Sequence, residues 1–246
     1  MTNTVCVIFA LQKIRFEIFE KALDNSSQIE YNNCDSIRGD DMKRERYTED
    51  IKNRINQSDI GTVFVLTDFS DIAETDVVRK AITRLEKKAV LARIMRGVYY
   101  KPEYNELLGE VVAPSPNKVA HALARNFGWT IVPCGDTALN LLGLSTQVPS
   151  AWVYVSDGAY KEYSFDNTVI KFKRTTNKEI SRLSYKTALT IQALKAIGKD
   201  NISEQIINRL KKALSKEDKE KMMTEAKSAT SWVYEYIKKI CKNEKK

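Results

Sequence analysis

The segment from Glu74 to Lys88 constrains the fold most strongly, because it predicts a helix with two chemically different faces. At 100° per residue, one side of this helix collects the apolar residues Val77, Val78, Ala81, Ile82 and Leu85. The other side collects the polar and cationic residues Arg79, Lys80, Thr83, Arg84, Lys87 and Lys88. One face must therefore pack against a core while the other faces water.

The elements around this helix follow in an informative order. They are an upstream helix with Ile51 and Ile55 on one face, a brief strand at 63–66, a short helix at 68–72, and a β-hairpin with strands at 90–94 and 98–100 and Gly97 in its turn. A helix, a short helix, a basic amphipathic helix and a basic hairpin form the order of a winged helix-turn-helix. We predict this DNA-binding domain for residues 42–101.

Each part of such a domain has a use on double-stranded DNA. The second helix of a helix-turn-helix lies in the major groove, and the hairpin reaches a neighbouring groove or the phosphate backbone. The predicted DNA-binding residues are Arg79, Lys80, Thr83, Arg84, Lys87, Arg93 and Arg96. The alternative is a solvated charged helix beside an ordinary hairpin, since residues 42–101 hold 13 Lys/Arg against 9 Asp/Glu.

Residues 102–246 show a different pattern, which predicts a small mixed α/β domain with a helical C-terminal segment. Ser115 and Pro116 provide an N-cap and a first-turn proline for a helix that runs to Asn126. The further predicted elements are strands at 129–132, 152–155, 161–165 and 168–173, a short helix at 137–142, and helices at 185–197, 202–214 and 216–240. The whole chain is therefore expected to be an α+β protein.

Residues 1–41 differ from the rest in ending with a polar, turn-rich stretch, and we interpret them as an N-terminal extension. Met42 opens a charged helical segment, so translation in the cell could also start there; the alternative is a genuine extra helix. At the other end, apolar and aromatic residues from Trp232 to Ile240 recur at helical spacing. Such a stripe is typical of a core helix or of a dimer seam, and a dimer on DNA is an expected assembly.

Composition excludes several other classes of protein. The 246 residues carry a net charge of +8, and the four cysteines are scattered without a C-x-x-C pair. His121 is the only histidine and is interpreted as a structural helix residue, so neither a zinc site nor a cofactor is expected. No phosphate-binding or hydrolase motif is present, which indicates a protein that is not an enzyme. No apolar run is long enough for a membrane span, and we expect a cytoplasmic location.

Four blocks of the sequence, in the same order, resemble the AbiEi-type antitoxin family and its close relatives. The blocks are RKAITRLEKKAVLARIMRGVYYKP, APSPNKVAHALARN, PCGDTALNLLGLSTQVPSAWVYVSDG and YKTALTIQALKAIGKDNI. The resemblance extends over about residues 47–202, and LLGLSTQVP is its most distinctive part. Residues 1–41 have no counterpart in the family, and Ala89 occupies a turn position where its members tend to carry glycine.

The resemblance implies a winged helix followed by an α/β antitoxin domain. It also implies an autorepressor of a type IV toxin–antitoxin (abortive infection) operon that counteracts a nucleotidyltransferase-like toxin, without necessarily binding that toxin. The alternative function is a protein-interaction module that binds a toxin or another partner directly, with the winged helix not used on DNA.

Overall fold

The computed structural model describes residues 35–107, 109–175, 180 and 182–242. Residues 1–34, most of the predicted extension, lie outside the described residues. Within the described ranges the fold is α+β, as predicted, and it divides into two compact units between Pro114 and Ser115. No helix in these ranges combines the length and the apolar character needed to cross a lipid bilayer.

The N-terminal unit contains two α-helices and two small sheets among its described residues. Its elements are α1 (Asp35–Gln57), β1 (Val63–Val65), a 3₁₀ helix (Leu66–Phe69), α2 (Thr75–Lys87), β2 (Ala92–Met95), β3 (Val98–Tyr100), β4 (Glu103–Asn105) and β5 (Glu110–Val112). The first three strands form an antiparallel sheet in the order β1-β3-β2, and β4 pairs with β5. The first helix begins at Asp35, upstream of Met42, and the β4–β5 hairpin is an element that the sequence did not predict.

A single apolar core holds the N-terminal unit together. Ile51 and Ile55 of α1 are fully buried, as their spacing predicted. They join the apolar face of α2 and two stacked rings, Phe64 and Phe69, whose centroids are 5.6 Å apart. Burying each such side chain stabilises the fold by about 1.5–3 kcal/mol relative to leaving it in water. The core therefore fixes which side of α2 faces outward.

The C-terminal unit is a four-stranded mixed sheet with helices. Its elements are α3 (Pro116–Phe127), β6 (Ile131–Pro133), α4 (Asp136–Leu141), β7 (Trp152–Ser156), β8 (Lys161–Phe165), β9 (Thr168–Arg174), α5 (Tyr185–Ile197), α6 (Glu204–Ala213), α7 (Lys216–Glu225) and α8 (Ser231–Cys241), with 3₁₀ turns at 199–201 and 226–228. The strand order is β6-β7-β9-β8; β7 and β9 are parallel, and the other two pairs are antiparallel. The predicted mixed sheet is confirmed.

Helix α5 lies at the centre of the C-terminal unit. Residues 187–194 are all buried, including Thr187, Thr190 and Gln192. The two threonine hydroxyls are paired, because the Thr190 hydroxyl donates to the Lys186 carbonyl at 2.8 Å and Thr187 Oγ1 lies 2.8 Å from Ser184 Oγ. The middle two turns of this helix are therefore buried on all sides, which explains why its sequence lacks a polar face.

The single helix predicted over 216–240 is wrong, because the chain turns between α7 and α8. Ala229 and Thr230 adopt extended backbone conformations, and α8 begins after Thr230. The cluster Ser228, Thr230 and Ser231 is a signal for this break, since short hydroxyl side chains compete for backbone hydrogen bonds and lower helix propensity. The turn lets apolar residues of both helices, Met222 and Ile237 among them, enter one core.

Helix α2 ends in a Schellman motif at Ala89. The Ala89 N–H donates to the Glu86 carbonyl and the Val90 N–H to the Leu85 carbonyl, each at 3.0 Å. Ala89 has a φ of +54°, which confirms that an alanine occupies a left-handed position there. Helix α3 ends in the same motif, with Gly128 at a φ of +66°.

These two helix ends give a matched pair of variants. We expect Ala89→Gly to raise the free energy of unfolding of the N-terminal unit by about 0.5–1 kcal/mol, because glycine has no Cβ to clash at positive φ. Gly128→Ala should lower that of the C-terminal unit by a similar amount, because a Cβ there meets no atom within 4 Å and only the backbone is strained. Chemical denaturation followed by circular dichroism measures both, and a destabilising Ala89→Gly would contradict the assigned turn.

Candidate nucleic-acid interface

Helix α2 presents the predicted polar residues to solvent. Val78, Ala81, Ile82 and Leu85 are at most 2% exposed. The five predicted DNA-binding residues on the helix are all exposed, and they are Arg79, Lys80, Thr83, Arg84 and Lys87. The buried and exposed faces of α2 are therefore those that its periodicity predicted.

The hairpin β2–β3 carries the other two predicted residues. Arg93 lies in β2 opposite the buried Tyr99, and Arg96 lies in the turn before Gly97, which has a φ of +79°. Both arginines are exposed. The Arg93 Nε donates to the Met95 carbonyl at 3.4 Å, across an irregularity in the strand. All seven predicted residues thus lie in the N-terminal unit, on α2 and on the hairpin that follows it.

Asp76 is an acidic residue on the exposed side of α2 that sequence reasoning missed. Its carboxylate accepts a hydrogen bond from Arg79 Nη1 at 2.7 Å. The Thr83 hydroxyl donates to the Arg79 carbonyl at 2.8 Å, and the Thr83 methyl group takes no part in this hydrogen bond. The spacing of three residues between Asp76 and Arg79 is the signal that identifies the ion pair, since such residues are neighbours on a helix.

An ion pair joins α1 to the segment before α2. Arg54 donates from Nη1 and Nη2 to the two carboxylate oxygens of Asp71, at 2.7 and 2.6 Å, and from Nη1 to the Asp68 carbonyl at 2.8 Å. The hydrogen bond from Arg54 lowers the pKa of Asp71, and the same bond raises the pKa of Arg54. Because folding lowers the pKa of Asp71, the ion pair stabilises the folded protein above the ordinary pKa of aspartate. This stabilisation is lost as the pH falls through the lowered pKa.

Lys101 holds the end of α1 against the end of β3. Its ammonium group donates to the carbonyls of Asn56, in the last turn of α1, at 2.9 Å and of Ser58, just after the helix, at 2.8 Å. Its backbone exchanges hydrogen bonds with Gly61 and Thr62 at 2.9 and 3.0 Å. A cation at the C-terminal end of a helix is favoured by the helix dipole. The last residue of the predicted DNA-binding domain is therefore connected to the end of α1 and to the loop that follows it.

The C-terminal unit places its histidine in an aromatic and largely uncharged setting. His121 lies between Tyr154 and Tyr185, with ring centroids at 6.4 and 5.8 Å. Burial lowers the pKa of His121, and the charge of Arg125 lowers it further. Burial also raises the pKa of Tyr154, whose hydroxyl donates to Asn117 Oδ1 at 3.1 Å. This environment favours neutral side chains.

Glu225 links α7 to the start of α5. Its Oε2 accepts hydrogen bonds from the backbone N–H of Ser184 at 2.9 Å and from the Ser184 hydroxyl at 2.8 Å. Burial opposes ionisation of Glu225, but the hydrogen bonds from Ser184 and Thr187 outweigh it and lower the pKa. Across the described ranges, no group of three or more His, Cys, Asp or Glu residues is arranged to bind a metal ion.

Comparisons with known proteins give a similar solved structure and a matching family. The chain is similar to the crystal structure of the RV2827C protein from Mycobacterium tuberculosis, with 12% identity, coverage of 80% of this chain and 76% of that chain, and a TM-score of 0.37. Among curated proteins, none matches this chain. The family of unknown function DUF6088 matches residues 50–222, a range that includes α2, the β2–β3 hairpin and the mixed sheet. The chain belongs to the DUF6088 family.

Proposed function

We propose that this protein is a transcriptional repressor that binds double-stranded DNA through α2 and the β2–β3 hairpin of a winged helix-turn-helix. The observation that carries the proposal is the division of α2 into a buried apolar face and an exposed face bearing four cations and a threonine. A helix of this kind fits the major groove, where Arg, Lys and Thr meet base edges and phosphates.

The order and pairing of the elements support the same proposal. A winged helix consists of a helix-turn-helix and a hairpin whose sheet is completed by an earlier strand. Here the 3₁₀ helix at 66–69 takes the place of the first helix of the helix-turn-helix, and α2, as its second helix, follows after a short turn. The sheet order β1-β3-β2 attaches the hairpin to the strand that precedes those helices.

The positions of the hairpin arginines add to the argument. Arg96 lies in a turn, where an exposed guanidinium can reach a phosphate or a minor groove. Arg93 is exposed on the adjacent strand. A protein that neutralises several phosphates releases counterions, so its affinity for DNA falls steeply with salt.

The resemblance to AbiEi-type antitoxins supplies the biological part of the proposal. We assign to the protein repression of its own toxin–antitoxin operon and counteraction of a nucleotidyltransferase-like toxin encoded beside it. The antitoxin activity is assigned to residues 102–246, with direct contact to the toxin not required. A dimer on DNA and a cytoplasmic location belong to the same proposal. Expression of the neighbouring gene with and without this one is the corresponding growth test.

Salt-dependent binding to the DNA upstream of its own gene tests the proposed function. We expect fluorescence anisotropy to give tighter binding to this DNA than to a shuffled duplex of equal length. If the protein contacts about six phosphates, its affinity should fall on the order of 1,000-fold between 50 and 200 mM salt. Equal, weak binding to both duplexes would instead favour a protein-interaction module.

A further inference from the structure

Asp76 places an acidic side chain among the cations of α2. It is the second residue of α2, which has Glu74 as its N-cap, and its side chain is 79% exposed. At 100° per residue it lies on the same side of the helix as Arg79, Lys80 and Thr83. A carboxylate therefore stands within the face that the proposed function assigns to DNA.

A carboxylate on this face has a cost and one specific use. The phosphates of DNA repel a carboxylate on this face. The helix dipole favours an acidic residue in the first turn, but an acidic residue on another exposed side of that turn would gain the same stabilisation. In the major groove, however, a carboxylate accepts a hydrogen bond from the N4 amino group of cytosine. The N-terminal residues of a recognition helix are those that meet base edges, and Asp76 is one of them.

The ion pair orients Arg79 for a complementary contact. Asp76 Oδ1 accepts from Arg79 Nη1 at 2.7 Å, while the guanidinium carries further donors on Nη2 and Nε. An arginine fork donates to O6 and N7 of guanine, which is the commonest specific contact in the major groove. The pair thus presents an acceptor and a set of donors side by side on one turn of α2.

We propose that Asp76 and Arg79 together read a cytosine and an adjacent guanine in the major groove of the operator. This inference rests on the proposed function and adds to it the bases that α2 selects. Asp76 accepts from cytosine N4, and its second oxygen keeps Arg79 extended toward guanine. The ion pair that forms in the free protein reduces the ordering needed on binding.

Selection of binding sites from a randomised duplex library tests this inference with the full chain. We expect the wild-type motif to contain a C and an adjacent G, and Asp76→Ala to reduce the preference for that C by about tenfold. Asp76→Asn should shift the preference at that position toward adenine, because an amide pairs with N6 and N7 of adenine. A purely structural role of Asp76 would not produce this change of base.

Asp50→Ala is the matched control, since Asp50 is an exposed acid of α1 in the same unit. It removes the same charge, and we expect it to leave the motif unchanged. An identical motif for wild type, Asp76→Ala and Asp76→Asn would overturn the inference while leaving the proposed function standing. Absence of both an enriched motif and salt-dependent binding in the wild type would overturn the proposed function itself. Melting temperatures of all variants show whether they are folded.

Discussion

Replacing Lys80, Lys87 and Arg96 together by alanine is expected to weaken DNA binding on the order of 100-fold at physiological salt. All three side chains are exposed, and they lie on α2 and in the turn of the hairpin. Each phosphate contact that is lost should also reduce the dependence of log affinity on log salt by about 1, so the triple variant should lose about 3. Anisotropy titrations at several salt concentrations measure both quantities.

The control for this prediction has the same change in net charge. Lys212, Lys216 and Lys221 are exposed residues of the C-terminal unit, and their joint replacement by alanine should leave affinity and salt dependence nearly unchanged. If both triple variants weaken binding equally, the attraction to DNA comes from net charge rather than from α2 and the hairpin. Circular dichroism verifies that the two proteins are equally helical.

Gly158→Ala is expected to lower the free energy of unfolding of the C-terminal unit by about 1–3 kcal/mol, the usual cost of overpacking. The Trp129 indole lies directly on Gly158, and an added Cβ would overlap its Cδ2, Cε2 and Nε1 atoms. The ring cannot move away freely, because it stacks on Phe127 at 4.8 Å and meets the edge of Phe172 at 5.7 Å. Lys161 Nζ also lies 5.7 Å from the Trp129 ring centroid.

A double-mutant cycle separates this overlap from other effects. In a Trp129→Leu background the indole is gone, so Gly158→Ala should cost much less than in the wild type. The tryptophans at 129, 152 and 232 are the three of the chain, and all belong to the C-terminal unit. Their fluorescence during chemical denaturation therefore reports on this unit, with Trp152 and Trp232 remaining in the double variant. Equal costs in both backgrounds would contradict the packing of Trp129 on Gly158.

Local patterns in the sequence predicted a large part of the fold. The alternation of apolar and cationic residues located α2, which spans Thr75–Lys87. The helix predicted at 185–197 is confirmed at both ends, and the strands β8 and β9 lie at 161–165 and 168–174. In each case residues close together in sequence determine the element, through periodicity or turn chemistry.

Features that depend on residues far apart in the chain escaped prediction. Arg54 and Asp71 are separated by 17 residues, and Lys101 bonds to a carbonyl 45 residues earlier. Neither contact follows from a local pattern, because only the folded core of the N-terminal unit brings these groups together.

The exposure of the seven candidate DNA-binding residues was predictable, since it follows from the periodicity of α2 and the position of the hairpin turn. The ion pair of Asp76 with Arg79 needed only the rule for helix neighbours.

The pairing of β1 with β3 bears on how this protein is made. A ribosome releases Val63 long before Tyr100, its partner in the sheet, and Lys101 comes later still. Helix α2 emerges between them. A nascent chain therefore carries all the cations of α2 before β3 and Lys101 have been made. The core that packs on α2 includes Tyr99, so it is completed only when this residue leaves the exit tunnel. Residues 1–97 together hold 16 Lys/Arg and 16 Asp/Glu, so the growing chain has no net positive charge until then, and the cationic face of α2 is a product of how the residues are arranged on the helix.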